Sequence, residues 1–166
     1  MNNLNTTQRQ RLKKLTRFSL YLCGPMKDCK TEEELHGWRD RLKSLLIEYP
    51  ITIFDPTKRD YRKALRETMF LHEIEKIDEE IITIDTEEIM SSHALIGNCF
   101  QPSAGSSMEI FLAWCMKKFV VSVVPSFGEA SPWIRYHSTV VVENYVEAIA
   151  ELRKVFPQIF GREQKG

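Results

Sequence analysis

Ala94-Leu95-Ile96-Gly97 leads into Gln101-Pro102-Ser103-Ala104-Gly105-Ser106-Ser107-Met108-Glu109, and that stretch into a mostly apolar run from Ile110 to Met116. The order reads as strand, glycine-containing loop, helix. In an open α/β sheet such a crossing lies at the carboxyl end of a strand, where unpaired N–H groups at the helix start face a ligand. Ser106-Ser107-Met108-Glu109 fits the S-x-x-E capping box, which predicts Ser106 as N-cap and Glu109 in the first helical turn. Asp85-Thr86-Glu87-Glu88 has a similar capping pattern ahead of a short helix over Ile89 and Met90. Each acid therefore has a structural reading as a cap and a chemical one. Two acids reaching one cleft are the minimal equipment for cleaving a glycosidic bond.

Working outward, Phe18 to Cys23 reads as a first strand ended by the turn pair Gly24-Pro25. Thr31 and Glu34 form a capping box for a helix with Leu35, Trp38, Leu42, Leu45 and Leu46 at helical spacing. Ile51 to Phe54 is a second strand stopped by Asp55-Pro56, and residues 60–81 carry only a partial helical stripe. Phe119 to Val124 is apolar enough to be buried on both faces of a parallel sheet. Pro125 to Tyr136 reads as a long loop, Thr139 to Val142 as an edge strand, and Asn144 with Glu147 as the cap of a final helix. The pattern predicts a Rossmann-like three-layer α/β sandwich with a four- or five-stranded, mostly parallel sheet. Residues 17–160 form one domain, between a polar tail or short helix at 1–16 and a tail at 161–166.

The 166 residues carry 23 basic and 23 acidic side chains, so there is no global charge case for a nucleic-acid polymer as partner. The basic run Arg9 to Lys14 reads as a solvated tail. Cys23, Cys29, Cys99 and Cys115 show no close C-x-x-C spacing and fit a reducing cytosol. No apolar run approaches the roughly 20 residues needed to cross a membrane, so a cytoplasmic protein is expected. His72 and His93 have no metal-ligand spacing around them, and neither a metal nor another cofactor is expected.

Tyr21-Leu22-Cys23-Gly24-Pro25-Met26, Gly37-Trp38-Arg39, Phe54-Asp55-Pro56, the pair Asp85 and Ile89, and Gly105-Ser106-Ser107-Met108-Glu109 occur in this order. The ordered set resembles the nucleoside 2-deoxyribosyltransferase family. Gln101-Pro102-Ser103 is similar to its hydrolase branch, the N-glycosidases of 2'-deoxynucleoside 5'-monophosphates and the CMP or hydroxymethyl-CMP hydrolases. The resemblance covers roughly residues 18 to 124. It implies that Glu109 is the nucleophile that attacks the anomeric carbon, and that Asp85 is the acid handling the proton of the departing base. It also implies that Tyr21, Gly24, Pro25, Met26, Asp55 and Gly105 line the substrate pocket. Ser103 falls where the transferases carry an aspartate for the sugar hydroxyls and the hydrolases a serine for the 5'-phosphate. Two departures stand out. The loop from Pro25 to Lys30 resembles the transferase form rather than the arginine-rich form of the hydrolases, and Ser106-Ser107 replaces the usual threonine or glycine.

Arg135, His137 and Ser138 offer a second constellation, which reads either as a phosphate cup or as a surface loop with Trp133 and Tyr136 at a dimer interface. The expectation is an N-glycosidase that cleaves (deoxy)nucleoside 5'-monophosphates through a glycosyl-glutamate intermediate. The alternatives are a deoxyribosyltransferase exchanging bases between deoxynucleosides, and a non-catalytic nucleotide-binding module. The resemblance further implies a homo-oligomer, dimer or larger, with shared active sites.

Overall fold

The computed structural model describes residues 17–59 and 61–161. The basic run Arg9 to Lys14 and most of the expected C-terminal tail lie outside them. Five strands, β1 (Phe18–Cys23), β2 (Ile51–Phe54), β3 (Ala94–Asn98), β4 (Phe119–Val123) and β5 (Val140–Val142), form one sheet in the order β2-β1-β3-β4-β5. Every neighbouring pair is parallel. The three central strands are buried at every position, whereas the edge strands β2 and β5 are mostly half-buried. That is the signature of a sheet covered on both faces.

Side chains alternate between two cores because successive strand residues point to opposite faces. Leu20, Leu22, Ile96 and Val121 meet α1 (Trp38–Leu46) on one face. Tyr21, Cys23, Leu95 and Val120 meet the other pair of helices, α3 (Leu71–Ser91) and α4 (Ala104–Cys115), through Ile89, Ile110 and Ala113. A short helix α2 (Arg62–Glu67) precedes α3, and α5 (Pro132–Tyr136) occupies the stretch expected to be a loop. The first face is completed by α6 (Tyr145–Val155), capped by Asn144, and by the short α7 (Pro157–Phe160). Among the described residues no helix is long and apolar enough to cross a membrane.

Two helix starts differ from expectation. The segment 71–91 holds no glycine or proline, so one 21-residue helix runs through it and Asp85 lies inside its last two turns instead of opening a new helix. Its half-buried stripe Ile74, Ile77, Ile81 and Ile84 continues, at helical spacing, onto Asp85 and Glu88. Likewise α4 starts two residues before the residue expected to cap it. Ser103 has the extended backbone a cap requires (φ −148°, ψ 121°), and its Oγ accepts from the N–H of Ser106 (3.3 Å). Neither acid is a cap.

Candidate active site

The order 2-1-3-4-5 reverses direction between β1 and β3, and ligands of such sheets bind outside the carboxyl ends of the strands at that point. The two acids meet on this side. With Ser103 as N-cap, Glu109 falls in the second turn of α4 and reaches back to β1, where the Tyr21 hydroxyl donates to its Oε1 (3.3 Å). Asp85 is near enough to act on the same phenol electrostatically. The Cys23 thiol, two residues along β1 and so on the same face, also faces Glu109 and donates to the carbonyl of Ser106 (3.4 Å). A phenol from β1 thus holds the acid from α4, with the acid from α3 close by.

Burial dominates the electrostatics. Loss of water pushes the Glu109 carboxyl up to about 7; the Asp85 charge pushes the same way, and the Cys23 and Tyr21 donors offset part of the rise. Asp85 is raised by burial too, with Arg59 opposing. Burial and the two neighbouring carboxylates drive the Tyr21 phenol far up, so it stays a proton donor. A pair of acids with displaced titrations in one cleft is the pattern expected of acid–base chemistry.

Arg59 was not among the residues expected from sequence. It sits in the 3₁₀ turn after β2, and its two terminal nitrogens fork onto the Glu88 carboxylate (2.7 Å each) while Nη2 also reaches Asp85 Oδ1 (3.2 Å). Glu88 follows Asp85 by three residues on α3, so one guanidinium holds both. The one available signal was the spacing of Asp85 and Glu88; nothing local pointed to Arg59.

The loop after β1 is positioned from beneath. Arg39 is fully buried; its Nη2 donates to the Gly24 carbonyl (3.1 Å), its Nη1 to the Leu35 carbonyl, and its Nε lies 3.4 Å from Asp55. Asp55 is also buried, with Oδ1 accepting from Thr57 N (3.0 Å) and Thr57 Oγ1 (2.7 Å) and Oδ2 at 2.5 Å from Lys43 Nζ. Its burial alone would raise its carboxyl, but those donors bring it below the usual range. Asp55 therefore serves as an internal anchor for this loop. Gly24 is required by close packing, since a Cβ there would lie 2.6 Å from the Trp38 ring. Pro25 is buried and Met26 half-buried beside it, while Gly105 is exposed and open.

A cavity of about 420 Å³ lies at the start of α4, with Asn98, Phe100, Ser103, Ser106, Glu129 and Ile134 among its walls. Glu109 and Asp85 are not in those walls. The first turns of α4 connect the two, because Ser106 lines the cavity and its carbonyl touches Cys23. Among the described residues the walls include one acid, Glu129, and no lysine or arginine.

Arg135, His137 and Ser138 each make a bond within the chain. Arg135 donates to the Ala130 carbonyl and lies over Phe127. His137 is buried against Phe111, Trp114, Trp133 and Tyr136, with its Nδ1 on the Trp133 carbonyl (2.8 Å). Ser138 is buried too, donating to the Ile134 carbonyl (2.6 Å) and paired with Ser122 Oγ (2.7 Å). Trp133 and Tyr136 keep their outer faces exposed.

No family model matches the chain, and no curated protein does. Its fold is that of solved deoxyribosyltransferase and N-glycosidase structures. A 2-deoxyribosyltransferase from Bacillus psychrosaccharolyticus superposes with a TM-score of 0.58 at 18% identity, over 78% of this chain and 89% of that one. A conserved protein from Enterococcus faecalis gives 0.56 at 15%, over 83% and 98%. A CMP N-glycosidase from Clostridium botulinum gives 0.52 at 17%, over 82% and 98%.

Proposed function

We propose that the protein breaks and remakes the N-glycosidic bond of a deoxynucleoside, exchanging one base for another. The observation that carries this reading is the Glu109 carboxylate, bonded by the Tyr21 hydroxyl and under the electrostatic influence of Asp85, at the switch point of the sheet. Glu109 attacks C1' as the bond to the base breaks, and the departing nitrogen takes the electron pair and a proton from Asp85. A second base then attacks C1', returns a proton to Asp85 and frees Glu109. Developing positive charge on the sugar favours the ionised Glu109, which offsets the burial that raises it. Tyr21 positions the nucleophile without titrating.

The nucleoside is preferred over its 5'-monophosphate because a phosphate of charge about −1.5 to −2 would meet Glu129 and no basic side chain in the cavity at the start of α4. A second reading, hydrolysis of nucleoside 5'-monophosphates, is favoured by the Ser103 hydroxyl at the start of α4 and by the likeness in fold to the CMP N-glycosidase. One assay separates them. Deoxynucleosides and their monophosphates are incubated with and without a second free base, and products are resolved by chromatography. Exchanged nucleoside is expected. Free base released from monophosphates alone would install the hydrolase, and no product from any substrate would leave a binding module.

A further inference from the structure

Asn98 ends β3 with a side chain only 7% exposed, in the wall of the 420 Å³ cavity. Its Oδ1 accepts from the Phe100 N–H (3.3 Å), which fixes the amide and leaves Nδ2 as the free end. Nδ2 has no hydrogen-bond partner among the described residues. In the cavity wall that amine end is open to a ligand. Two residues on, the Phe100 ring stacks over Tyr145 (6.5 Å between centroids, 25° between planes), which itself stacks on Trp38 (5.9 Å, 13°). Phe100 is nonetheless 46% exposed and lines the same cavity. The arrangement is a backed aromatic plate beside a fixed donor.

We propose that Asn98 and Phe100 form a subsite for a flat heterocycle bearing a carbonyl group, with Nδ2 donating to that carbonyl and the ring stacking on Phe100. A plate selects planarity, and a donor with its acceptor half already used selects an oxygen over an amino group. The inference names the base class for the glycosidic cleft proposed above and rests on that reading for the identity of its ligand. It adds selectivity: a 6-oxopurine such as hypoxanthine, or thymine, is taken in preference to adenine, which presents an amino group at the same edge.

Calorimetric titration of the full chain with free hypoxanthine, thymine, adenine and 2-deoxyribose tests this without turnover. The wild type is expected to bind hypoxanthine or thymine at least ~10-fold more tightly than adenine. Asn98→Asp keeps the acceptor for the Phe100 N–H but removes the donor. It should weaken binding of the oxo bases by at least ~10-fold while leaving adenine unchanged or improved. Phe100→Ala should weaken every base, and serves if Asn98→Asp does not fold. Unchanged affinities in both variants, a loss falling equally on adenine or on 2-deoxyribose, or no base bound by the wild type would each overturn the proposal. Base exchange with Asn98-independent binding would retain the enzyme and sink the subsite. Asn98-dependent binding without exchange would do the reverse.

Discussion

The two ends of the sheet's ligand edge make opposite use of their polar residues. Around β1 and β3, Tyr21, Arg59, Asp85 and Glu109 come from four separate elements and turn their polar groups toward one another. Beyond β4, Arg135, His137 and Ser138 are nearly consecutive, yet their polar groups are taken up by α5 and its neighbours. A helix turns about 100° per residue, so residues within one short helix and its exit point apart. Convergence is supplied by topology, which brings strand ends and helix starts to one edge. Closeness along the chain is poor grounds for a shared site, and a crossing of separate elements is better.

The contrast breaks most directly at Glu109. Glu109→Gln should lower base exchange by at least ~10³-fold, since the proposed nucleophile is gone and the other groups cannot replace it. Its stability should move the other way. In the wild type the folded carboxyl titrates near 7 and the unfolded one in the ordinary range, so the unfolded chain ionises first and stability falls as pH rises between the two. Glutamine removes that penalty. At pH 8 Glu109→Gln is expected to melt several degrees higher than wild type, and below pH 4 at nearly the same temperature. Equal melting at both pH values would mean that Glu109 is not held in a site costly to its charge.

Arg59 gives the next largest effect and tests whether Asp85 is tuned or merely present. Arg59→Gln removes the cation that opposes the burial of Asp85 and leaves Asp85 and Glu88 facing each other. The Asp85 titration should rise, displacing the pH–rate profile of kcat in the same direction and lowering the rate roughly 10-fold at neutral pH. Arg59→Lys keeps the charge without the fork, and should restore the profile better than the rate. A parallel drop at every pH would make Arg59 a structural residue only.

Sequence patterning reached the frame because burial on both faces leaves a strong mark. Phe18 to Cys23 and Phe119 to Val123 are continuous apolar runs, and the structure makes them central strands. The acids were visible as acids, but their settings were not. S-x-x-E is satisfied in letters at Ser106, yet Ser103 offers the same hydroxyl three residues ahead of another N–H, and packing of α4 against β1 decides between them. The stripe ahead of Asp85 is weak in the sequence, because a helix exposed over most of its length shows weak periodicity. Arg59 had no local signal, because its meaning lies 26 and 29 residues away.

On the β4 side the losses should appear in stability. Ser138→Ala removes the bond to the Ile134 carbonyl and leaves Ser122 Oγ without its partner in a buried position. A cost of about 1–3 kcal/mol is expected in denaturant unfolding, with KM for the nucleoside unchanged. A raised KM with intact stability would return Ser138 to the substrate site.

The smallest effect is expected at Arg135, and it is the sharpest test of the comparison. Its guanidinium is the one cation that the expected phosphate cup would have supplied, and it is spent on the Ala130 carbonyl and the face of Phe127. Arg135→Gln can still donate to that carbonyl while losing the charge, so fold and nucleoside turnover should hold within about twofold. A charged group bonded to phosphate would be worth roughly 1.5–3 kcal/mol. Its removal would therefore shift the ratio of kcat/KM for monophosphate over nucleoside by about tenfold or more. The expected shift is none, measured on the same substrate pair in both proteins. A tenfold fall confined to the monophosphate would show that α5 opens toward a ligand, and that the two ends of the sheet edge form one site after all.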